Sequence, residues 1–372
     1  MREGWEYKKL GEVCEIYQPK TLSTDMLTKT GGYPVYGANG IIGYYNQYNH
    51  EEQEVLLTCR GATCGTVNIS KPYSWINGNA MVIHRKSEEM DFNFLKYLML
   101  SLDYSLIITG AAQPQITRQK LAPTKIKIPP KSTQLAIVSE LDKINELIRL
   151  KKEQLKDYDN LAQSIFYEMF GDPVENEKGW EVKKLSSLFK VSSSKRIMQE
   201  EWTKEGVPFL KVSDIVSLIR YGEVSPSTFI SQLKFEKLEK ANMVPMVGDI
   251  LITSRGTLGL CYTIKTGDKF YFQDGMVTWL SENSGDIIPI YITYLFSNNH
   301  FLEVLAGRAN KSTVSYISIK QISQKKITIP PLPLQHLFAQ RIEQIERQKS
   351  AVQKSITDLE ILLASRMQYW FE

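Results

Sequence analysis

Two kinds of residue group have the types and spacing of catalytic motifs, and each lacks a component that the chemistry needs. Glu6-Tyr7-Lys8 and Glu181-Val182-Lys183 have the Glu-x-Lys form of a nuclease motif, but no Pro-Asp pair precedes either at a workable distance. Residues 309–313, ANKST, resemble the tail of a phosphate loop, but Asn310 stands where the second glycine belongs. We interpret the Glu-x-Lys groups as solvated strand edges and predict no nucleotide site.

The cysteines and histidines do not complete a site either. Cys59 and Cys64 lie close together, but there is no second pair and the four histidines are scattered, whereas a structural zinc ion needs four ligands. No Gly-x-Gly-x-x-Gly precedes a helix, and the Pro-Pro pairs follow isoleucine, so the adenine-methylating tetrad Asp/Asn-Pro-Pro-aromatic is absent. Nothing marks a serine or cysteine nucleophile. We predict a chain that is not an enzyme, with no metal site and no cofactor.

A loop-rich stretch in the first half has residues suited to reading DNA. Residues 33–45, YPVYGANGIIGYY, combine aromatic, amide and glycine residues. Asn and Gln can bond bidentately to adenine in the major groove, and Arg does the same with guanine. We predict DNA contacts from Tyr36, Asn39 and Tyr44. The alternative is a Gly-rich hairpin whose tyrosines only pack, and the sequence leaves the two open.

Two Arg-Gly pairs and a polar segment in each half are further candidates. Arg60-Gly61 and Arg255-Gly256 follow equivalent predicted strands, where a glycine lets the backbone approach a partner closely. A turn needs the glycine but not the arginine, so we predict phosphate or other functional contacts from both arginines. The polar segments 110–120 and 307–313 precede the last strand of each half, and a solvated loop is the alternative for both. The remaining candidates are Gln113, Gln115, Arg118, Lys211, Arg308, Asn310 and Lys311.

Two long stretches are the elements that would position these residues. From Gln134 to Phe170 apolar residues recur at a 4-3 spacing typical of a coiled coil, and from Gln335 to Phe371 the pattern recurs 201 residues later. At ~1.5 Å rise per residue, each helix would be ~55 Å long. Neither can bury its apolar stripe alone, so we expect them to pair within the chain. Lys151 and Arg366 interrupt the stripes, and we predict that they face a partner.

An internal repeat organises the rest of the chain. GWEYKKL at 4–10 recurs as GWEVKKL at 179–185, LLTCRGATCG at 56–65 corresponds to LITSRGTLG at 251–259, and residues 116–134 match 317–335. The offsets are 175, 195 and 201, which indicates insertions within the lobes. We therefore predict an α+β chain of two mixed α/β lobes, each followed by a long helix. The predicted boundaries are 1–130 for lobe one, 131–171 for helix one, 172–331 for lobe two and 332–372 for helix two.

Local patterns place strands and helices inside the lobes. Short apolar runs predict strands at 54–58, 80–84, 249–253 and 276–280, and longer periodicity predicts helical segments around 93–106 and 290–306. Ser132 or Thr133 is placed to cap the first long helix, and Gly171-Asp172-Pro173 is placed to end it.

Composition restricts the class of protein. A chain of 372 residues suggests two or three domains, and a net charge of +4 argues neither for nor against nucleic acid. The long helices are nearly neutral, which leaves a weak basic bias on the lobes. Four irregularly spaced cysteines do not form a disulfide framework, and no signal peptide or membrane-spanning run is visible. We expect a cytoplasmic protein with no membrane partner.

The motifs together resemble a known family. Two lobes that open on GWEYKKL or GWEVKKL, contain YPVYGANG or LITSRG, and close on Ile-Pro-Pro before a long helix resemble the DNA specificity subunit of type I restriction-modification systems. The resemblance implies two target recognition domains that each read half of a bipartite sequence in double-stranded DNA. It also implies an antiparallel coiled coil that sets their spacing and docks two methyltransferase (modification) subunits, which methylate adenine. Restriction subunits can join such an assembly, and the specificity subunit performs no catalysis itself.

Two alternatives differ in class from this hypothesis. The chain would be an assembly scaffold if it bound methyltransferase without discriminating between DNA sequences. It would be a stand-alone enzyme, such as a nuclease, if the purified chain cut or methylated DNA alone.

Overall fold

The computed structural model describes residues 4–110, 112–307 and 316–372. Its strands are β1 (Glu6–Lys9), β2 (Cys14–Tyr17), β3 (Tyr33–Gly37), β4 (Gly40–Tyr45), β5 (Val55–Thr58), β6 (Val67–Ile69), β7 (Trp75–Ile76), β8 (Ala80–Arg85), β9 (Lys125–Ile128), β10 (Glu181–Lys184), β11 (Lys190–Ser192), β12 (Trp202–Thr203), β13 (Val207–Leu210), β14 (Phe229–Ile230), β15 (Ile250–Thr253), β16 (Cys261–Thr263), β17 (Tyr271–Phe272), β18 (Val277–Ser281) and β19 (Lys326–Ile329). Its α-helices are α1 (Leu10–Val13), α2 (Phe92–Ser101), α3 (Arg118–Leu121), α4 (Lys131–Phe170), α5 (Val212–Tyr221), α6 (Gln232–Lys240), α7 (Pro289–Phe296), α8 (Asn299–Ala306), α9 (Ile319–Gln324) and α10 (Leu332–Phe371).

The chain divides into two compact units. Unit 1 comprises Met1–Glu153 and Val352–Glu372, and unit 2 comprises Gln154–Ala351. Each unit therefore contains one mixed α/β lobe and a part of each long helix. The long helices α4 and α10 are 40 residues each.

An antiparallel sheet of order β2-β8-β5-β6 forms the centre of unit 1. Side chains alternate along a strand, so Val55 and Leu57 of β5 pack in one cluster with α2, while Leu56 packs in another with Tyr36 and Ile76. β5 is buried along its whole length for this reason. A second sheet of order β4-β3-β7 consists of the hairpin β3-β4 and of β7, which lies parallel to β3.

Unit 2 repeats the two-sheet plan of unit 1 with a longer segment in its second sheet. Its central sheet has the order β11-β18-β15-β16, and its second sheet has β13 parallel to β17, as β3 is parallel to β7. Where unit 1 has hairpin β3-β4, unit 2 has β13 followed by α5, β14 and α6. This longer segment lies between the first two repeated motifs, which explains why the sequence offset rises from 175 to 195.

The two ends of each lobe lie side by side. β1 pairs antiparallel with β9, and β10 pairs antiparallel with β19 in the same register. The opening Gly-Trp-Glu motif and the closing Ile-Pro-Pro motif are therefore neighbours, immediately before each long helix. The sequence showed both motifs but gave no sign of this pairing.

Two predicted helical segments end or break earlier than expected. α2 stops at Ser101, because the Asp103 carboxylate accepts hydrogen bonds from the backbone N–H and hydroxyl of Ser105, each at 2.9 Å, in place of helical bonding. The segment 290–306 is two helices, because the Asn298 side chain accepts the N–H of Phe301 at 2.8 Å and starts α8 anew.

The start of α4 also differs from the expectation. The helix begins at Lys131, so Ser132 and Thr133 lie inside its first turn and neither is its cap. The Pro130 carbonyl accepts the N–H groups of Thr133 and Gln134 at 2.9 and 3.0 Å. At the other end α4 stops at Phe170, and Gly171 has the positive φ of 76° expected of a residue that ends a helix.

A buried glutamine connects each long helix to its lobe. Gln134 is 2% exposed, and its amide nitrogen donates to the carbonyls of Glu89 and Pro129 while its oxygen accepts the N–H of Asp91. Gln335 is 0% exposed and makes the same three bonds in unit 2. In each glutamine, both amide hydrogens and the amide oxygen form hydrogen bonds with backbone groups that have no partner within a strand or helix.

Parts of the long helices contact each other in each unit. In unit 1, Arg366 donates two hydrogen bonds to Glu140, and Lys152 lies 2.8 Å from Glu360. In unit 2, Lys349 lies 2.8 Å from Asp159. The prediction that Arg366 faces a partner is wrong, because its guanidinium is already bound to the other helix.

Two further features concern the cysteines and the helices. All four cysteines are free thiols. Among the helices of the described residues, none is both long and apolar enough to cross a membrane.

Candidate nucleic-acid interface

In unit 1 the structure brings Arg60 together with Gln115. The two residues form an isolated antiparallel bridge, flanked by hydrogen bonds from Gly61 N–H to the Pro114 carbonyl and from Ile116 N–H to the Cys59 carbonyl, both at 3.0 Å. Both Arg60 and Gln115 are exposed. The Arg-Gly pair after β5 and the polar segment before α3 are therefore one surface, although 55 residues separate them in the sequence.

Glycines shape the loops of this surface. Gly61 has a φ of +88°, and a Cβ there would meet nothing within 4 Å. The glycine is therefore needed for the turn, and not for the close approach of the backbone to a partner that we had predicted. At Gly110 the φ is +87° and a Cβ would lie 2.4 Å from the Gln113 carbonyl oxygen. Thr109 and Gln115 exchange backbone hydrogen bonds of 2.9 and 2.8 Å, which closes the loop and leaves Gln113 exposed near its tip.

Asn39 lies at the same end of unit 1. It is exposed in the two-residue turn between β3 and β4, and the neighbouring Ala38 carbonyl accepts a hydrogen bond from the hydroxyl of Thr58. Because Thr58 is the last residue of β5 and Arg60 follows it, this turn lies close to the arginine. Arg118 is also near, as the exposed first residue of α3, three positions after Gln115.

The two candidate tyrosines of this stretch are placed differently. Tyr36 is 5% exposed, and its hydroxyl accepts the N–H of Lys71 at 3.1 Å, so its burial is incompatible with a DNA contact. Tyr44 is half-buried and pairs with Pro34, and it lies five residues beyond Asn39, which is about 16 Å along the strand. The structure therefore does not bring Tyr44 to Arg60.

Unit 2 has the equivalent surface around Arg255. Arg255 and Tyr316 form an isolated bridge, and Ile317 N–H donates to the Ser254 carbonyl at 2.9 Å, as Ile116 does to Cys59 in unit 1. Both bridged residues are exposed, and the Arg255 guanidinium lies 3.9 Å from the Met276 sulfur. The candidates Arg308, Asn310 and Lys311 lie outside the described residues.

Sequence reasoning missed Tyr316, although a signal was present. Tyr316 is the counterpart of Gln115 at the 201-residue offset of the third repeated motif. Extending the alignment of that motif by one residue toward the N-terminus would have identified it. The two units thus present an arginine beside an amide in one case and an arginine beside a phenol in the other.

The side chain of Lys211 is less accessible to a ligand than those of Arg60 and Arg255. It follows β13, its backbone N–H donates to the Asp214 carboxylate at 2.8 Å, and its ammonium lies 5.2 Å from the centre of the Trp202 ring. The side chain is half-buried in this position. The neighbouring Leu210 carbonyl accepts the N–H of Gln273, three residues before Met276, so Lys211 belongs to the same end of unit 2 as Arg255.

The lysines of the two Glu-x-Lys groups form ion pairs with carboxylates of the same lobe. Lys8 lies 2.8 Å from Glu6 on β1, and Lys183 lies 3.0 Å from Asp286 beside β10. Burial raises the pKa of the Cys59 thiol, which therefore stays protonated and is a poor nucleophile. Within the part of the chain that the structure describes, no three His, Cys, Asp or Glu side chains are grouped to hold a metal ion.

Comparison with known proteins gives a consistent picture. The pattern that defines the type I restriction modification DNA specificity domain matches residues 2–157 and 177–360. A putative type I restriction enzyme specificity subunit of Haemophilus influenzae is 26% identical over 94% of this chain and 90% of its own length. The specificity subunit of the type I restriction enzyme MjaVIII of Methanocaldococcus jannaschii is 21% identical over 92% of this chain and 86% of its own.

Solved structures share the fold. A chain from a structure described as the basis of complex assembly and conformational transition of the type I R-M system has a TM-score of 0.63 and 19% identity, over 99% of this chain and 97% of its own. The crystal structure of a type I restriction-modification S subunit from M. genitalium has a TM-score of 0.54 and 16% identity, over 99% and 96%.

Proposed function

Because the chain belongs to the family of type I restriction modification DNA specificity domains, we propose that it reads a bipartite DNA target and directs adenine methylation and restriction there. The chain itself is not catalytic, as the specificity subunits of this family are not enzymes. We assign residues 1–130 and 172–331 as the two target recognition lobes, each reading one half of the target.

The repeated Arg60–Gln115 and Arg255–Tyr316 bridges carry this proposal. Each places an exposed guanidinium beside a second polar side chain, on a loop that a positive-φ glycine shapes. A guanidinium can bond to phosphate or bidentately to guanine, and a glutamine can bond bidentately to adenine. The different neighbours, Gln115 and Tyr316, suit two lobes that read different half-sites. Within the described residues, Asn39, Gln113 and Arg118 support the first site, and Lys211 supports the second.

The first test identifies the target and separates this function from an assembly scaffold. Modified adenines are sequenced in a host with and without the gene. We expect one split motif to lose its methylation when the gene is absent. Methylation that is unchanged, or that lacks any common motif, would favour the scaffold.

Arg60→Ala and Arg255→Ala then test the two sites. Each is expected to weaken binding of the target duplex by about 1–3 kcal/mol, and a lost phosphate contact lowers the slope of log affinity against log salt by about one. The measurement is a titration of the duplex into the assembled complex at several salt concentrations. Arg149→Ala is the matched control, because that arginine lies on α4 and pairs with Glu146 and Glu153. Unchanged affinity and salt slope for both lobe variants would remove these arginines from the interface.

We also propose that α4 and α10 pair as an antiparallel coiled coil that separates the lobes and docks two methyltransferase subunits, which restriction subunits can join. Within unit 1, Glu140 contacts Arg366, while Lys152, further along α4, contacts Glu360, earlier in α10. This opposite direction supports the pairing. Among the exposed apolar side chains on the two helices, four near the division between the units support the docking: Leu147, Leu150, Ile361 and Leu362. An assembly that acts on cellular DNA favours a cytoplasmic location.

The carboxyl group of Glu140 reports this pairing. The Arg366 guanidinium holds the pKa of Glu140 below its usual value of 4.5, so the contact stabilises the fold above that pH and is lost as pH falls through the folded pKa. We expect Arg366→Ala to raise the pKa of Glu140 toward 4.5, measured by carbon-13 NMR of the carboxyl group. Arg341→Ala, an exposed arginine elsewhere on α10, should leave it unchanged. An unchanged pKa of Glu140 in the Arg366→Ala variant would contradict the contact between the helices.

A further inference from the structure

Three exposed tyrosines form a row on unit 1. Tyr48 lies between Tyr33 and Tyr73, with ring centres 4.9 and 5.3 Å apart and interplanar angles of 77° and 79°. The three side chains are 36%, 37% and 51% exposed in the order Tyr33, Tyr48, Tyr73. Exposed aromatic rings in contact with one another are unusual on a surface that has no partner.

The backbone around two of these tyrosines is held rigidly. The N–H groups of Asn49 and His50 both donate to the Ser74 carbonyl at 3.1 Å, and Ser74 N–H returns a bond to the His50 carbonyl at 3.0 Å. The Asn49 side chain bonds both the N–H and the carbonyl of Ile76. The segments that carry Tyr48 and Tyr73 are therefore fixed to each other before any ligand binds. This preorganisation lowers the conformational entropy that binding would cost.

Tyr73 has a backbone conformation that costs free energy. Its φ is +53°, in the left-handed region that bulky side chains rarely adopt. Its N–H donates to the Glu51 carbonyl at 3.0 Å, which holds this conformation and directs the ring beside Tyr48. Strain that the surrounding structure maintains is found mainly where a side chain is needed in one position.

The charge beside the row is negative. The Glu51 carboxylate lies close enough to raise the pKa of the Tyr48 hydroxyl, and Glu52 adjoins it in the sequence. Lys71 is the basic residue nearest to Tyr73 along the chain and Lys29 is the one nearest to Tyr33, whereas Glu51 is held at the row itself by the hydrogen bond from Tyr73 N–H to its carbonyl. The Glu51 carboxylate repels a phosphate group and attracts a cation, which the ring faces also attract.

The row also lies away from the candidate DNA surface. Tyr33 begins β3, and the Ala38–Asn39 turn, next to Thr58 and Arg60, follows the other end of that strand. Five residues of extended chain separate Tyr33 from Ala38, which is about 16 Å. The two surfaces occupy opposite ends of the hairpin.

We propose that Tyr33, Tyr48, Tyr73 and Glu51 form a docking face for a protein partner, which lays an arginine or lysine side chain on an exposed ring face beside the Glu51 carboxylate. Tyrosine and arginine are the residues that dominate protein interfaces, and a guanidinium stacks on tyrosine faces while it pairs with a carboxylate. This function differs from DNA reading and does not depend on it. Stacking of unpaired bases, as in single-strand binding proteins, is the competing occupant.

The probe is the peptide acetyl-Gly-Arg-Gly-Arg-Gly-amide, and its control replaces both arginines with neutral citrulline. The full chain is labelled on its tyrosine rings, and the ring NMR signals are followed during titration. We expect saturable shifts at Tyr33, Tyr48 and Tyr73 with the arginine peptide and at least fivefold weaker binding of the citrulline peptide. Tyr73→Gly removes one ring and relieves the strained φ, and it should weaken binding about two- to fivefold. Glu51→Gln should weaken binding at low salt.

Two controls and one competing ligand make the test decisive. Tyr48→Phe keeps the ring face and should retain affinity, and Tyr221→Ala, an exposed tyrosine of unit 2, should have no effect. Equal binding of both peptides, no binding of either, or indifference to Tyr73→Gly would overturn the proposal. Tighter binding of a ten-nucleotide thymidine oligomer at the same three tyrosines would also overturn it, in favour of base stacking.

Discussion

Replacing Gln335 with glutamate is expected to destabilise unit 2 by about 3–5 kcal/mol. The buried amide nitrogen donates to the carbonyls of Pro330 and Asp286 at 2.7 and 3.1 Å, and its oxygen accepts the N–H of Ile288 at 2.9 Å. A carboxylate there has no hydrogens to donate, so it would face two carbonyl oxygens and carry an unpaired buried charge. In a unit of this size, such a loss lowers the melting temperature by about 10 °C.

Thermal unfolding followed by calorimetry measures the effect. Gln340→Glu makes the same charge change on an exposed face of α10 and should change stability by less than about 0.5 kcal/mol. Gln134→Glu should act on unit 1 in the same way, because Gln134 bonds Glu89, Pro129 and Asp91 with the same atoms. If Gln335→Glu were as mild as Gln340→Glu, the glutamine would not hold the helix to the lobe.

The elements that local patterns determine could be predicted from the sequence. The 4-3 apolar spacing gave the long helices, and short apolar runs gave β5, β8, β15 and β18. The duplicated motifs predicted two similar lobes, and both central sheets have the same strand order. Periodicity depends on which face of one element is buried, so a single stretch of sequence contains enough information.

Contacts between distant segments could not be predicted. Arg60 meets Gln115 because β5 and the loop before α3 close on each other, and no local pattern reveals that closure. Tyr36 lies between Val35 and Gly37 on a strand whose neighbours cover it, so its burial depends on β7 and on the Lys71 backbone. Arg366 looked like an interruption of an apolar stripe, and only the position of Glu140 on the other helix explains it.

The side-chain amides were the least predictable feature. Asn298 broke a segment whose periodicity predicted continuous helix, because it caps α8 instead of continuing α7. Gln134 and Gln335 matched each other in the repeat, but glutamine is mostly exposed in folded proteins, so the residue type gave no sign of burial. Each is buried because a lobe supplies three backbone partners. Two of them come from a segment more than 40 residues before the glutamine, and the third is a proline just before the helix start.

Lengthening both long helices by one heptad is expected to lengthen the spacer of the methylated motif without changing either half. Residues 147–153 of α4 and 352–358 of α10 are duplicated in place, which keeps the seven-residue apolar period and the pairing of the helices. Seven residues add about 10 Å of helix, which corresponds to about three base pairs of B-DNA. The insertions lie at the division between the two units, so neither lobe nor its arginine site is altered.

Sequencing of modified adenines in a host that carries the lengthened chain measures the spacer. The matched control duplicates residues 147–153 alone. With one helix longer than the other, the contacts of Lys152 with Glu360 and of Asp159 with Lys349 cannot both form, so this chain should lose methylation instead of acquiring a new motif. A doubly lengthened chain that methylates a motif with the original spacer would show that the helices do not set the distance between half-sites. A changed half-site would show that the lobes do not read DNA independently of the helices.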